Sequence, residues 1–456
     1  MSLGTESRPL RVAIAGSGPS GFYAAEALLK SDVVADVDMY ERLPVPFDLV
    51  RYGVAPDHPK IKNVTRIYDR TASHERFQYF GNVSIGDDLS IEELRQHYDA
   101  IILAVGASSD RSLGIEGEDL PGSHPATEFV AWYNGHPDYT DFEFDLSCET
   151  AVVIGQGNVA VDVARILAKT DAELAETDIA QHAREALSTS KIKTIHLVGR
   201  RGPAQAAFTT PEVKELGELE DCDVIVRAED MDLRDASAAE LEMDGNSGRK
   251  KNVDVLRSYS EREPAGKSRK IIIDFFQSPT SIQGDGKVER IEVGRNRLEG
   301  EAGAQKAVDT GERSQLDCGL VFRSVGYRGA PMEQVPFHEK WGIFPNDAGQ
   351  VTRDDGPVPG LYVTGWIKRG PSGVIGTNKA DSVETVATLM EQLSDIPACE
   401  VPDTSAVLKI LKDRNVRVVS FDEWQQIDAA EVAAGEAAGR PREKLVTVAD
   451  MLDVLS

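Results

Sequence analysis

The sequence predicts an α/β protein built from two doubly wound units with parallel sheets, one unit inserted into the other. Two stretches, residues 10–31 and 149–169, carry the main observation. Each is a short apolar strand that runs into closely spaced small residues and then into an apolar helical pattern. Strand–turn–helix units of this kind are typical of parallel sheets covered by helices. A third observation, the basic end of the strand KTIHLVGRR, indicates that the two units differ in what they bind.

The boundaries between the units are indicated by two apolar strands, YDAIILAVGA and LVFRSVGY, which close on Gly106 and Gly326. If the chain leaves one unit after the first strand and re-enters it at the second, the inserted domain covers residues 108–325. The outer domain then has two parts, residues 1–107 and 326–456. The second part carries helical patterns near its C-terminal end.

The first small-residue turn has the G-x-G-x-x-G spacing of a dinucleotide-binding site, with Gly16, Gly18 and Gly21. The first glycine makes a tight turn, the second lets a pyrophosphate approach the backbone, and the third lets the helix pack on the strand. The phosphates lie at the helix N-terminus, and Glu41, at the end of the next strand, accepts hydrogen bonds from ribose hydroxyls. This unit is therefore predicted to bind FAD or NAD.

The second turn has the related spacing G-x-G-x-x-A, with Gly155, Gly157 and Ala160. A helical insertion delays the next strand, which ends on Arg200 and Arg201 instead of an acid. A carboxylate at that place would repel a 2′-phosphate, whereas two guanidiniums bind it. This unit is therefore predicted to bind NADP, the alternative being a solvated Arg–Arg turn.

The part of the inserted domain that follows is predicted to add a further layer. The stretch GRKKNVDVLRSYSEREPAGKSRK is expected to be a basic loop that leads to a strand. The pattern after it, IIIDFFQSPTSIQGDGKVERIEVGRNRLEG, resembles a hairpin and predicts an antiparallel sheet.

A third glycine-rich stretch, residues 360–391, has the features of a flavin site. It reads as a strand, a turn with four glycines around a tryptophan, and a helix. A helix N-terminus aimed at a flavin stabilises the negative charge of its reduced form. The backbone of Gly373, Val374 and Ile375 is expected along the ring, with Trp366 near it. A βα unit with a loose loop is the alternative.

Composition excludes several other classes of function. A formal net charge of −26 argues against a broad nucleic-acid-binding or anionic-membrane surface, because both require a positive field. The four cysteines, Cys148, Cys222, Cys318 and Cys399, have no C-x-x-C spacing, which disfavours a zinc site, a dithiol centre and a cysteine-bound iron–sulfur cluster. No metal site is predicted. The absence of a signal-like or membrane-spanning apolar run predicts a cytoplasmic protein.

Over essentially its whole length, the sequence resembles the adrenodoxin-reductase-like branch of NADPH–ferredoxin reductases. The stretches that carry the resemblance are GSGPSGFY, PFDLVRYGVAPDHPKIK, YDAIILAVGA, GQGNVAVDVARIL, VGRRGPAQAAFTT and GWIKRGPSGVIGTNK. Each is longer than a generic nucleotide-binding motif, and they follow one another in the order of the family.

The resemblance implies the residues that bind each cofactor. It implies FAD contacts at Ser20, Glu41, Leu49, Val83, Arg111, Trp366 and the backbone of residues 373–375. It implies NADP contacts at Gln156, Gly157, Asn158, Val159, Arg200, Arg201, Glu212 and Gly373. It places near the reacting rings the candidate catalytic residues His58, Glu215 and Asp162. From its neighbours alone, His58 is typical of a turn.

The activity that the resemblance implies is transfer of hydride from NADPH to FAD and of single electrons onward to a ferredoxin. The alternatives are a subunit similar to the small subunit of glutamate synthase and a non-catalytic flavoprotein that senses NADP. The first normally carries an N-terminal cysteine cluster, but this chain has no cysteine before Cys148. The sequence leaves open which ferredoxin is served and whether the protein is a monomer or a dimer.

Overall fold

The computed structural model describes residues 3–456, which form two compact units. One unit combines the chain up to Ser109 with Gly326–Ser456, and the other is Asp110–Val325. The first is called the outer unit and the second the inserted unit. The sequence predicts that the chain passes between the units after residue 107 and again after residue 325.

The first part of the chain contains a strand–helix alternation. Its elements are β1 (Leu10–Ala15), α1 (Pro19–Leu29), β2 (Ala35–Glu41), a π-helical turn (Leu49–Gly53), α2 (Pro59–Lys62), α3 (Thr65–Ala72), β3 (Phe77–Gly81), α4 (Ile91–His97), β4 (Ala100–Leu103) and β5 (Ser109–Asp110).

The inserted unit begins with a similar alternation. Its first elements, up to the strand that precedes Arg200, are β6 (Ser123–Pro125), α5 (Ala126–Tyr133), a 3₁₀ turn (Pro137–Tyr139), β7 (Thr150–Ile154), α6 (Asn158–Ala168), α7 (Asp171–Ala175), α8 (Gln181–Ser188) and β8 (Thr194–Val198). The remainder comprises 3₁₀ turns at Pro203–Gln205 and Ala228–Met231, α9 (Thr210–Leu216), β9 (Cys222–Val226), α10 (Asp235–Leu241), α11 (Ser247–Ser260), β10 (Arg269–Asp274), β11 (Gln277–Gln283), β12 (Arg290–Glu299), β13 (Lys306–Asp317) and β14 (Leu320–Arg323).

The chain then returns to the outer unit. The elements there are β15 (Tyr327–Arg328), β16 (Asn346–Asp347), β17 (Gln350–Arg353), β18 (Gly356–Val363), α12 (Trp366–Arg369), α13 (Thr377–Glu391), α14 (Thr404–Asp413), α15 (Phe421–Ala437) and α16 (Val448–Asp453).

Each unit is built on one sheet that is wholly or mainly parallel. In the outer unit the strand order is β16-β17-β18-β4-β1-β2-β3, and only the β16–β17 and β17–β18 pairs are antiparallel. In the inserted unit the order is β6-β14-β7-β8-β10-β9, with parallel pairing throughout. Strands β1, β4 and β14 are buried along their whole length, as expected when helices or loops cover both faces. The predicted α/β class with parallel sheets is confirmed.

The strand orders explain where ligands can bind. In the outer unit β1 lies between β4 and β2, and in the inserted unit β7 lies between β14 and β8. The central strand of each sheet thus lies where the strand order reverses, with neighbouring connections on opposite sides of the sheet. At such a point a crevice opens at the carboxyl end of the central strand. Both glycine turns follow a central strand and therefore lie at such a crevice.

The predicted antiparallel layer is present, but the loop before it is not. Strands β11, β12 and β13 form a three-stranded antiparallel sheet. The expectation of a basic loop is wrong, because most of that stretch is helix α11. Its buried residues Val253, Leu256 and Tyr259 recur at helical spacing, while the basic side chains occupy the other faces. The many basic residues of this segment favoured a solvated loop as the prediction, although its apolar residues have helical spacing.

None of the helices within the described part of the chain has the length and apolar content that a bilayer crossing requires.

Candidate functional site

The turn between β1 and α1 leaves room for a phosphate at the helix N-terminus. Gly16 has φ +104°, and a Cβ added there would lie 2.6 Å from the Ala104 carbonyl oxygen. A Cβ at Gly21 would collide with the carbonyl oxygen of Gly16. By contrast, no atom lies within 4 Å of the position that a Cβ would take at Gly18, the N-cap of α1. The bare backbone at Gly18 therefore faces open space, which fits a pyrophosphate.

The predicted ribose-binding acid lies beside that turn. Glu41 accepts hydrogen bonds through Oε2 from the Ser17 amide at 3.0 Å and the Ser17 hydroxyl at 2.7 Å. Its Oε1 accepts the Leu43 amide at 3.2 Å. The carbonyl of Glu41 accepts the amide of Val83, which is buried, and Leu49 begins the π-helical turn that follows. The carboxylate is thus oriented at the crevice, as a ribose contact requires.

Asn378 links the first turn to the third glycine-rich stretch. Its Oδ1 accepts a hydrogen bond from the Ser20 hydroxyl at 3.1 Å and from the Arg369 guanidinium at 2.8 Å. Its amide nitrogen donates to the carbonyl of Ile375 at 3.2 Å. The side chain is 2% exposed. Sequence reasoning missed Asn378, because nothing in its immediate neighbours distinguishes it from an ordinary residue in the first turn of a helix.

The surroundings of Trp366 fit a flat ligand with hydrogen-bond acceptors. Its ring stacks on that of Tyr327, with centroids 5.7 Å apart and an interplanar angle of 14°. Its indole Nε1 is buried and has no acceptor among residues 3–456. Such a buried donor costs free energy unless a ligand supplies the acceptor. Gly373 has φ +81° and Val374 is 58% exposed, so this loop presents backbone and an apolar side chain to its surroundings.

The second glycine turn repeats the geometry of the first. Gly155 has φ +135°, and a Cβ there would collide with the carbonyl oxygen of Ser324. Gly157, the N-cap of α6, again has no atom within 4 Å of the position of a Cβ, and Ala160 is fully buried. Open space therefore lies at the N-terminus of α6 as well.

The residues around Gly157 are tied to the segment that leads into α9. The carbonyl of Gln156 accepts the amides of Ala207 at 2.9 Å and Phe208 at 3.0 Å. The side chain of Asn158 accepts the amide of Thr209 at 2.8 Å, and Val159 is partly buried beside it. These bonds hold the predicted NADP contacts of the turn in one fixed arrangement.

The Arg200–Arg201 turn is pinned by the antiparallel layer. Asn296 on β12 donates its side-chain amide to the carbonyl of Arg200 at 2.9 Å, and the Phe276 amide donates to the carbonyl of Arg201 at 3.0 Å. The Arg200 side chain is exposed and that of Arg201 is partly buried. The pKa of Arg201 is lowered by burial, and further by the nearby cations Arg200 and Arg249. Concentrated positive charge at this strand end is what a 2′-phosphate site needs.

Three predicted site residues of the inserted unit converge on one arginine. Arg165, only 1% exposed, contacts Asp162 Oδ1 at 2.6 Å and Glu212 Oε2 at 3.0 Å, and Glu215 Oε2 lies 3.7 Å away. Asp162 and Glu212 are buried, whereas the Glu215 side chain is 37% exposed. Sequence reasoning found the acids but missed Arg165, although its position one turn after Asp162 on α6 was a usable signal.

Two other predicted site residues, His58 and Arg111, belong to different units. His58 is buried in the outer unit as the N-cap of α2, and its amide donates to the carbonyl of Ala55 at 3.1 Å. Arg111, a predicted FAD contact, is partly buried and belongs to the inserted unit. The roles of both remain predictions.

The cysteines have the properties of packed structural residues. Burial is the largest cause that raises the pKa of Cys222 to about 12, and the pKa of Cys318 is also raised to about 12, chiefly by burial. A thiol that is protonated at neutral pH is a poor nucleophile and a poor metal ligand. Neither thiol is therefore suited to dithiol chemistry.

We expect the variant Arg165→Met to be destabilised by about 3–5 kcal/mol, because it leaves Asp162 and Glu212 buried without this guanidinium. The measurement is the midpoint of urea unfolding, followed by far-ultraviolet circular dichroism, relative to the unmodified protein.

A matched control for this change is Arg184→Ala, which removes an ion pair with Asp171 at 2.8 Å whose side chains are 25% and 47% exposed. An exposed pair contributes less than about 1 kcal/mol, so its midpoint should barely move. Equal midpoints for the two variants would contradict the central place of Arg165.

Comparison with known proteins gives a consistent result. Residues 10–245 match the family described as pyridine nucleotide-disulphide oxidoreductase. The chain is 48% identical to the NADPH-ferredoxin reductase FprA of Mycobacterium tuberculosis, over 98% of this chain and 99% of that protein. It is 43% identical to the mitochondrial NADPH:adrenodoxin oxidoreductase of Homo sapiens, over 99% and 93% of the two chains.

A solved structure of Mycobacterium tuberculosis FprA in complex with NADPH matches this fold with a TM-score of 0.92, covering 98% of this chain and 99% of that one. Because nearly the whole chain is covered, similarity at this level extends through both units. The chain belongs to the pyridine nucleotide-disulphide oxidoreductase family, and within it to the branch of NADPH–ferredoxin and NADPH–adrenodoxin reductases.

Proposed function

We infer that this chain is an FAD-containing reductase that takes electrons from NADPH and passes them to an iron–sulfur protein, specifically a ferredoxin. One observation carries the inference. Both glycine turns leave open space at a helix N-terminus, but the strand after the first ends on Glu41, whereas Arg200 and Arg201 lie just beyond the end of the strand after the second. The relatives named above, similar along nearly the whole chain, are NADPH-dependent reductases of iron–sulfur proteins.

FAD supplies the chemistry that connects a two-electron donor with a one-electron acceptor. In the outer unit, Gly16, Gly18 and Gly21 would cradle its pyrophosphate and Glu41 would hold its ribose. Ser20, Leu49, Val83, Arg111 and Trp366 are the further proposed contacts, and the backbone of residues 373–375 would lie along the ring. The buried Nε1 of Trp366 is the donor that most needs such a ligand.

NADP(H) is assigned to the inserted unit. The proposed contacts there are Gln156, Gly157, Asn158, Val159, Arg200, Arg201 and Glu212, with Gly373 of the outer unit as a further one. The support is the open helix N-terminus at Gly157 and the cationic turn at the end of β8. A nucleotide without a 2′-phosphate would offer the two arginines no anionic group to bind at this position.

The decisive experiment is anaerobic mixing of the purified yellow protein with NADPH. Prompt loss of the flavin absorbance, restored by an oxidised ferredoxin, is the expected result. A flavoprotein that only senses NADP would bind the nucleotide and keep its colour. A subunit similar to the small subunit of glutamate synthase would contain iron, so the iron content of the preparation separates that alternative.

We propose that His58, Asp162 and Glu215 help position the nicotinamide and do not carry out an essential proton transfer, because hydride transfer itself needs no protein acid or base. His58→Gln and Glu215→Gln should therefore slow flavin reduction by about tenfold to a hundredfold, the usual cost of a misplaced reactant. Stopped-flow absorbance gives the rate.

The control for this experiment is Glu218→Gln, which removes an exposed carboxylate close to Glu215 just beyond the end of α9. Its rate should equal that of the unmodified enzyme. If either site variant lost many orders of magnitude, a required chemical role would have to be assigned to that residue.

A further inference from the structure

Arg249 lies close to the Arg200–Arg201 turn, although it is far from it in the sequence. It is in the first turn of α11, and α11 packs against the 3₁₀ turn Pro203–Gln205. That turn follows Arg201 after the single residue Gly202. The fold therefore brings a third arginine to the end of β8.

A short chain of hydrogen bonds fixes this placement. The Arg249 guanidinium donates to Glu240 Oε1 at 2.6 Å, and the side chain of Gln205 donates to Glu240 Oε2 at 2.9 Å. The amide of Gln205 donates to the carbonyl of Gly202 at 3.0 Å. Arg249 is thus linked through two buried side chains to the residue directly after Arg201.

The two side chains of the Arg249–Glu240 ion pair differ in their exposure to solvent. The side chain of Glu240 is 4% exposed, whereas that of Arg249 is 39% exposed. One nitrogen of the guanidinium is anchored by a buried carboxylate, and the Arg249 side chain remains partly exposed to solvent. This is the arrangement of a group that is oriented in advance for a ligand.

Three clustered guanidiniums require an explanation in a protein with a net charge of −26. Like charges close together repel: burial lowers the pKa of Arg201, and the nearby cations Arg200 and Arg249 lower it further. Glu240 balances only one of the three charges. A phosphate monoester, with a charge of about −1.5 to −2 at neutral pH, balances the remaining two.

We propose that Arg249 is a third cation of the 2′-phosphate site and contributes to the selection of NADPH over NADH. The proposal rests on the proposed function of Arg200 and Arg201 as the phosphate-binding pair. It adds a specificity residue from a separate helix, held in place by Glu240. If Arg249 served only to fix α11 through its ion pair, its loss would affect both nucleotides equally.

The test uses the FAD-loaded protein and two ligands, 2′,5′-ADP, which carries the 2′-phosphate, and NADH, which lacks it. Arg249→Ala should weaken 2′,5′-ADP binding, measured by titration calorimetry, by about tenfold, the effect of losing one charge-assisted contact. Arg249→Glu should weaken it further, because the charge is reversed. The kcat/KM for NADH should stay unchanged in both variants.

The matched control is Lys250→Ala, the next residue on α11, whose amine pairs with Glu242 at 2.7 Å with both side chains well exposed. It removes the same formal charge from the same helix and should leave 2′,5′-ADP binding as it was. The proposal is overturned if Arg249→Ala behaves like Lys250→Ala, or if NADH and NADPH use fall together.

A second comparison separates this proposal from the one on which it rests. Arg200→Ala with Arg201→Ala should lose 2′,5′-ADP binding. If that double variant loses binding and Arg249→Ala does not, only the role of Arg249 is wrong. If the double variant keeps full binding, the 2′-phosphate site lies elsewhere and both assignments are overturned.

Discussion

Replacing Arg200 and Arg201 together by alanine should remove the preference for NADPH over NADH. Each guanidinium is expected to make a charge-assisted contact with the 2′-phosphate, and such contacts contribute about 1.5–3 kcal/mol each. Together they correspond to a selectivity of about a hundredfold or more. The kcat/KM for NADPH should fall by that factor, while the value for NADH changes little, because NADH carries no 2′-phosphate for the two arginines to bind.

The control is Lys193→Ala, since Lys193 lies just before the opposite end of β8 and forms an ion pair with Glu149 at 2.6 Å with both side chains well exposed. It removes a cation next to the same strand without touching the turn, so the nucleotide preference should persist. Equal use of NADPH and NADH by the unmodified enzyme would exclude a 2′-phosphate site at this turn.

The parts of the fold that follow from local pattern could be predicted from the sequence. The strands before both glycine turns, the turns themselves and the helices after them are set by residues adjacent in the chain. The conformational demands at Gly16 and Gly155, both with positive φ, are likewise local. These local strand–turn–helix patterns predicted the sheet class, because such units are typical of parallel sheets, and the hairpin pattern predicted the antiparallel layer.

Contacts between distant segments could not be predicted. Asn296 holds the carbonyl of Arg200 only because β12 packs beside the end of β8, and Arg165 meets Glu212 only because α6 and α9 pack together. In a single sequence, nothing distinguishes such an asparagine or arginine from a surface residue. Their roles depend on tertiary packing, which local propensity does not encode.

Helix α11 shows a different cause of failure. Its basic residues suggested a solvated loop, although Val253, Leu256 and Tyr259 form a buried stripe. The error also left Arg249 without a predicted position, because a loop gives no fixed position to its side chains. Once the segment is helical, Arg249 has a defined neighbour in Glu240, to which Gln205 near the nucleotide turn also donates a hydrogen bond.

Gly18→Val should give a folded protein that is purified without FAD. Gly18 has extended backbone, φ −73° and ψ −177°, which valine adopts readily, and no atom lies within 4 Å of the position of its Cβ. The Cβ of the new side chain would therefore enter the space proposed for the pyrophosphate without meeting another atom of the protein. The measurements are the ratio of flavin absorbance to protein and the far-ultraviolet circular dichroism spectrum.

Gly157→Val is the reciprocal control, because Gly157 has the same extended backbone and the same open space in the other unit. That variant should keep FAD and its yellow colour but should no longer be bleached by micromolar NADPH. Gly21→Val should behave differently from both, since its Cβ would collide with the carbonyl oxygen of Gly16 and prevent the turn from folding. Full FAD content in Gly18→Val would contradict an FAD site at the first glycine turn. Loss of FAD in Gly157→Val would contradict the assignment of NADP(H) to the second.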